Sequence, residues 1–202
     1  MGTGKQTPLL VIVGSKRAGR MTHLKRLVRE GANRYRPVRT VTDQAVEAVD
    51  AEWYIQRPPL EVWVATSLTD FLAMFYEEYC RYTVLRPEVV RAHELGGIPL
   101  VGMSMDGLEH LAASAQTKIE GKYVPRIDYR AVVLTPEHPE RFAVNLIAEG
   151  IGNEEDAWLE TQRAIRESTL PPAACTPSVI PLPVNGDAKD QFRLYDVLSK
   201  LF

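Results

Sequence analysis

The chain has 202 residues, of which 45% are hydrophobic and 25% charged, enough apolar material for one ordinary globular core and too charged and mixed for a disordered segment. Its formal net charge of −2 gives no field-wide attraction to nucleic acid or to an anionic membrane, and no apolar run approaches bilayer-spanning length. Cys80 and Cys175 stand far apart without metal-type spacing, and residues 1–7 carry no signal-peptide core. Together these features predict a protein of a reduced, cytoplasmic compartment.

In chain order, residues 9–13 (Leu-Leu-Val-Ile-Val) predict a buried strand. Residues 21–28 predict a helix with Leu24, Leu27 and Val28 on one face. Residues 34–42 predict a second strand entered through a basic turn, and 43–52 a loop or short helix. Residues 60–66 alternate and are rich in β-branched types, which predicts another strand. Ser67 or Thr69 is placed to cap a helix over 70–82 with Phe71, Leu72, Phe75 and Tyr79 as its apolar face.

Pro87 opens a helix over 88–95 that Gly96 and Gly97 stop. A strand over 98–104 with Pro99 near its start, a helix over 108–118 and a central strand over 129–135 follow. Helices are expected over 139–148 and 154–166, the second capped by Asn153, with a turn-rich connector at 171–177. Residues 178–184 predict a last strand that Pro181 and Pro183 confine to an edge. Asp187 then caps a final helix striped by Phe192, Tyr195, Leu198 and Leu201. Strands alternating with helices predict a parallel-sheet α/β fold.

The most informative stretch joins the first strand to the first helix. A Walker A phosphate loop reads G-x-x-x-x-G-K-[ST] between a buried strand and a helix. Gly14 and Gly19 keep that frame, but the lysine position holds Arg20 and the hydroxyl position holds Met21. In a working loop a compact ammonium reaches the outer phosphates and the hydroxyl ligates magnesium. Arginine keeps a positive charge but is a larger planar fork that seeks bidentate partners. A methionine thioether is a poor ligand for hard magnesium. Thr22 follows directly and would substitute only with a slipped helix register, and Lys16 and Arg17 fill positions often given to small residues. On its own the stretch also fits an ordinary strand–turn–helix with two glycines.

Other constellations carry less. His23, His93, His110 and His138 have no carboxylate or cysteine at ligand spacing, so no metal site is expected and His138 reads as a surface residue. Ser104 to Asp106 lacks the glycines of a nucleophile elbow. Lys16, Arg17, Arg20, Lys25, Arg26 and Arg29, extended by Arg34, Arg36 and Arg39, form a basic band. It reads either as a solvated helix face or as a docking surface for an acidic or phosphorylated peptide. Tyr76, Tyr79, Tyr82 and Trp63 either line a groove or fill the core of a small lobe.

In this order the elements resemble guanylate kinases over nearly the whole chain. The loop 14–22 is similar to that family's G-P-S-G-x-G-K-S-T, and 86–107 to its T-P-x-x-x-V segment ending in D-I-D-x-Q-G. Residues 129–136 look like the strand before its lid, and 148–155 resemble the lid's R-G-x-x-[ST]-E-E. Val184-Asn185-Gly186-Asp187 matches the V-N-[DN]-D of its closing strand–helix. The resemblance implies a three-layer P-loop nucleoside monophosphate kinase-like fold as a single domain, with its core at about 8–42 and 86–202 and a reduced inserted lobe at about 43–85.

The family's functional residues carry over badly. Its guanylate-gripping S-x-T-T-R falls near 39–43, so that its arginine becomes Asp43. Its two acidic residues become Gly102 and Ser104, and its lid arginine aligns with Glu149 or Ala148, with Arg163 and Arg166 nearby in sequence. These losses touch the cradle, the metal, the acceptor grip and the arginine clamp of phosphoryl transfer.

The resemblance therefore implies a degenerate member without a cofactor, acting as a protein-interaction or structural module. Such domains recur without activity in junction scaffolds, calcium-channel subunits and cytoskeletal or ciliary proteins. Its partner would be a protein rather than a nucleotide, nucleic acid or membrane, in the cytoplasm or on the cytoskeleton. Two alternatives stand beside this reading: an active nucleoside monophosphate kinase using Arg20 and Thr22 in unusual roles, and a nucleotide-binding regulator without turnover.

Overall fold

A computed structural model describes residues 7–15, 18–57, 70–77, 80–114, 118–119, 122–123, 127–138, 179–185 and 188–201, with single residues between 144 and 165. Its centre is strand β1 (Leu9–Val13), buried at every residue. A strand covered on both faces reads as a continuous apolar run rather than an alternation. β1 lies parallel between β10 (Tyr129–Pro136) and β7 (Ile98–Met103). β11 (Val179–Val184) and β2 (Tyr35–Pro37) complete a five-stranded parallel sheet in the order β11-β10-β1-β7-β2.

Alternation along β1 divides the core into two layers. Leu10 and Ile12 face Leu24 and Leu27 of α1 (Arg20–Glu30) and Leu194 and Leu198 of α4 (Ala188–Leu201). Leu9, Val11 and Val13 face the other way, into a cluster with Val89 of α2 (Arg86–Glu94) and Leu108 and Leu111 of α3 (Met105–Ser114). Helices on both faces make the three layers that the family resemblance implies.

The last strand is an edge strand, as its prolines require. Val184 O accepts from Glu137 N at 3.1 Å, so the even residues of β11 turn their polar groups toward β10. Pro181 and Pro183 then fall where an outward N–H would otherwise stand.

A second sheet runs β4-β3-β6-β5, from β3 (Thr40–Thr42), β4 (Tyr54–Gln56), β5 (Phe71–Glu77) and β6 (Cys80–Leu85). The strand expected over 34–42 is thus two strands in two sheets. Val38 N still bonds Leu100 O at 2.8 Å, whereas Thr40 N bonds Trp53 O at 2.8 Å. A single three-residue 3₁₀ turn, Ala48–Asp50, lies in the segment read as loop or short helix.

The helix expected over 70–82 is instead the β5–β6 hairpin. Its apolar residues fit both a helical face and a pleated surface, and the cross-strand pairs decide for the latter. Phase alternates at Ala73, Phe75 and Glu77, all buried, against exposed Tyr76. Phe75 stacks on its register partner Tyr82 with ring centroids 5.3 Å apart.

Smaller differences follow the same contacts. α3 is described as far as Ser114, and Lys118, expected to close that helix, lies instead in Lys118–Ile119 (β8), which pairs with Lys122–Tyr123 (β9). In α4 the buried stripe uses Leu194 and Leu198, while Phe192 is 73% exposed and does not belong to it. The strand expected at 60–66, its neighbouring cap residues, the connector at 171–177 and Asp187 lie outside the described residues. Of the helices expected over 139–148 and 154–166, Val144, Glu155, Trp158, Leu159, Thr161, Gln162 and Ile165 are described, and each is helical.

Candidate phosphate-loop site

The loop sits where parallel sheets place ligands, at the C-terminal end of β1 and the N-terminus of α1. Gly14 is anchored to the sheet by its N–H, which donates to Met103 O at 3.2 Å. Ser15 closes the loop on itself: its buried Oγ and its carbonyl each accept from Ala18 N at 3.1 Å. Gly19 stands before α1 in the left-handed region at φ 76°, a conformation that costs a side-chain-bearing residue about 1–2 kcal/mol. Lys16 and Arg17 lie outside the described residues.

Arg20, at the lysine position, does not face solvent. It is 2% exposed and turned under the loop, where Nη1 donates to Gly14 O at 2.7 Å. Nη1 and Nη2 also form a two-pronged bridge to Glu77 Oε1 and Oε2, both at 2.6 Å. Glu77, the last residue of β5, is 1% exposed. The guanidinium is therefore neutralised by a carboxylate of the protein itself, in the parallel fork geometry that arginine prefers.

Met21 is engaged as well. Its sulfur accepts a hydrogen bond from the Tyr54 hydroxyl at 3.2 Å, and the side chain packs against the core. Thr22 is exposed, one position further round the helix and away from the loop interior. His23 is buried, with Nδ1 2.7 Å from Gln191 Oε1 of α4. His138 is a surface residue, and no cluster of metal-binding side chains occurs among the described residues.

The two positions where acidic residues are missing are filled structurally. A Cβ on Gly102 would stand 2.5 Å from Leu24 Cδ1 and 3.3 Å from Arg20 Cδ, so the bare backbone makes room chiefly for Leu24 of α1, with the inward Arg20 close beside it. Ser104 is buried, and its Oγ accepts from Gly107 N at 3.4 Å at the start of α3.

The segment 39–43 is equally occupied. Arg39 bridges Glu88 at 2.9 and 3.0 Å, and Arg91 Nε adds a third bond to the same carboxylate at 2.8 Å. Burial pushes the Glu88 carboxyl up, but the bonds from Arg39 and Arg91 outweigh it and hold it below its ordinary range. The Glu88 bond likewise raises Arg39. Asp43 Oδ1 accepts from Arg81 N at 2.7 Å, tying the end of β3 to β6. The Tyr82 hydroxyl donates to Gln44, and its ring lies in the core cluster rather than along a groove.

Along the basic band, Lys25 meets Asp50 at 2.6 Å, and Arg26 and Arg29 meet Glu30 at 2.8 and 3.2 Å. Arg36 donates to Gly96 O and Asn33, and Arg34 lies over the Tyr35 ring. Each of these cations already has a partner, so an acidic ligand would have to compete for them. The lid residues at 148 and 149, with Arg163 and Arg166, lie outside the described residues.

Sequence reasoning missed Glu77, the residue that decides the site. A signal was present: in β5 it continues the buried alternation Ala73, Phe75, and a charged residue in phase with a core needs an opposite charge. The helical reading of 70–82 concealed that phase.

No family model and no curated protein matches the sequence. The structure is similar to the crystal structure of guanylate kinase from Anaplasma phagocytophilum, with a TM-score of 0.60 and 14% identity over 98% of this chain and 87% of that one. That similarity, with the parallel sheet and its flanking helices, makes the fold a guanylate-kinase-like P-loop fold. No helix among the described residues is long and apolar enough to cross a membrane.

Proposed function

We propose that this protein is a non-catalytic guanylate-kinase-like domain that works as a protein-interaction or structural module. The observation that carries this reading is the Arg20–Glu77 bridge, with both side chains 1–2% exposed. A phosphate entering the loop would meet a guanidinium already paired and a buried carboxylate of its own sign. Met21, held by Tyr54, offers no oxygen to magnesium. With the charge that should steer phosphate and the ligand that should hold the metal both engaged in folding contacts, phosphoryl transfer has no preorganised site among the described residues.

The partner is a protein, and its acidic or phosphorylated groups would exchange into the ion pairs of Lys25, Arg26 and Arg29. A cytoplasmic assembly, cytoskeletal or ciliary, is the setting that the family resemblance suggests. An assay of phosphoryl transfer from ATP to GMP with magnesium should give no turnover above the protein-free rate. A native pull-down should in parallel retain a stoichiometric protein partner. Turnover that Arg20→Ala abolishes, or an inert monomer in the pull-down, would overturn the reading.

A further inference from the structure

We propose that Arg20 and Met21 form a lock that fixes the second sheet against the phosphate loop without any ligand. These consecutive residues of α1 reach the two outer strands of the same four-stranded sheet. Arg20 holds Glu77 at the end of β5, and Met21 receives the hydroxyl of Tyr54 in β4. The sheet is therefore gripped at both edges by one helical turn. The guanidinium is held from the other side by Gly14 O at 2.7 Å, so the same group ties the loop to the sheet.

A fork of two parallel bonds is directional. Sliding the sheet by a fraction of an ångström misaligns both bonds, and pulling it away strands each charge in a water-poor interior without its counter-ion. In enzymes whose lobes close over a substrate, closure is a ligand-driven step. Here the closing contact is internal and permanent, so the sheet belongs to the rigid body of the core. The lock is independent of whether the domain binds a partner through its basic face.

Hydrogen–deuterium exchange on the full chain tests it, comparing wild type, Glu77→Gln and Tyr54→Phe. In wild type, peptides covering β5 and β6 should exchange as slowly as those covering β1 and β10. Glu77→Gln keeps the shape and removes the charge; it should speed exchange in β4, β5 and β6 at least tenfold while β1 and β10 change less than threefold. Tyr54→Phe removes only a hydroxyl and leaves no buried charge, so it reads out even if Glu77→Gln fails to fold. It should give a smaller rise, about threefold, confined to the same sheet. An equal acceleration in β10 would make the contacts ordinary stabilisers, and no acceleration in either variant would make them inert; both outcomes overturn the lock.

Discussion

Two ion pairs on helix α1, Arg20–Glu77 and Lys25–Asp50, share a separation of 2.6 Å and differ in their surroundings. The first is 2% and 1% exposed; the second is 45% and 32% exposed. In water the Lys25 ammonium exchanges one good solvation shell for another, and the pair contributes little. Beneath the loop neither charge has water to return to, so each is committed to the other. The charge chosen for the phosphate position of this fold is thus spent on holding the protein together. The other cations of the same helix, Lys25, Arg26 and Arg29, sit on its outer turns in more exposed pairs.

The largest effect should come from breaking the buried pair. Arg20→Ala or Glu77→Ala leaves one uncompensated charge in the core and should cost about 3–5 kcal/mol in urea unfolding. Replacing both at once, Arg20→Met with Glu77→Leu, should recover most of that loss, because no charge remains to be stranded. Additive losses in the double variant would mean that the two residues act separately.

An intermediate case is Glu88, held below its ordinary 4.5 by Arg39 and Arg91 against the opposing effect of its burial. Its folded value is lower than its unfolded one, so its contribution is present above about pH 4.5 and is lost as pH falls through the folded value. Melting temperatures of wild type and Glu88→Gln should differ at pH 6 and converge toward pH 3. A constant difference across that range would remove the titration from the explanation. Lys25→Ala marks the small end of the scale, at no more than about 1 kcal/mol and less at high salt.

What the sequence made legible divides along the same line. Leu9 to Val13 and Tyr129 to Pro136 were readable because buried parallel strands leave an uninterrupted apolar run. Gly14, Gly19, Pro87 and Pro181 were readable because backbone constraints are local. Arg20 and Met21 could be recognised as substitutions, but their new partners could not, since Glu77 and Tyr54 lie far along the chain. Burial of Arg20 within the basic band was hidden for the same reason: composition gives the charge and only tertiary pairing gives its environment. The β5–β6 hairpin was misread because aromatic spacing over a few residues satisfies two periods, and the strand partner that chooses between them is a tertiary fact.

The central claim is that Glu77 occupies the charge a nucleotide would need. Titrating the purified protein with GMP, GDP, GTP, ADP and ATP, with and without magnesium, and following its melting temperature tests this most directly. Ligand that binds only the native state raises the midpoint by mass action. No shift at millimolar nucleotide is the result the account predicts. A magnesium-dependent rise that Arg20→Ala removes would contradict it, and would return the loop to phosphate binding.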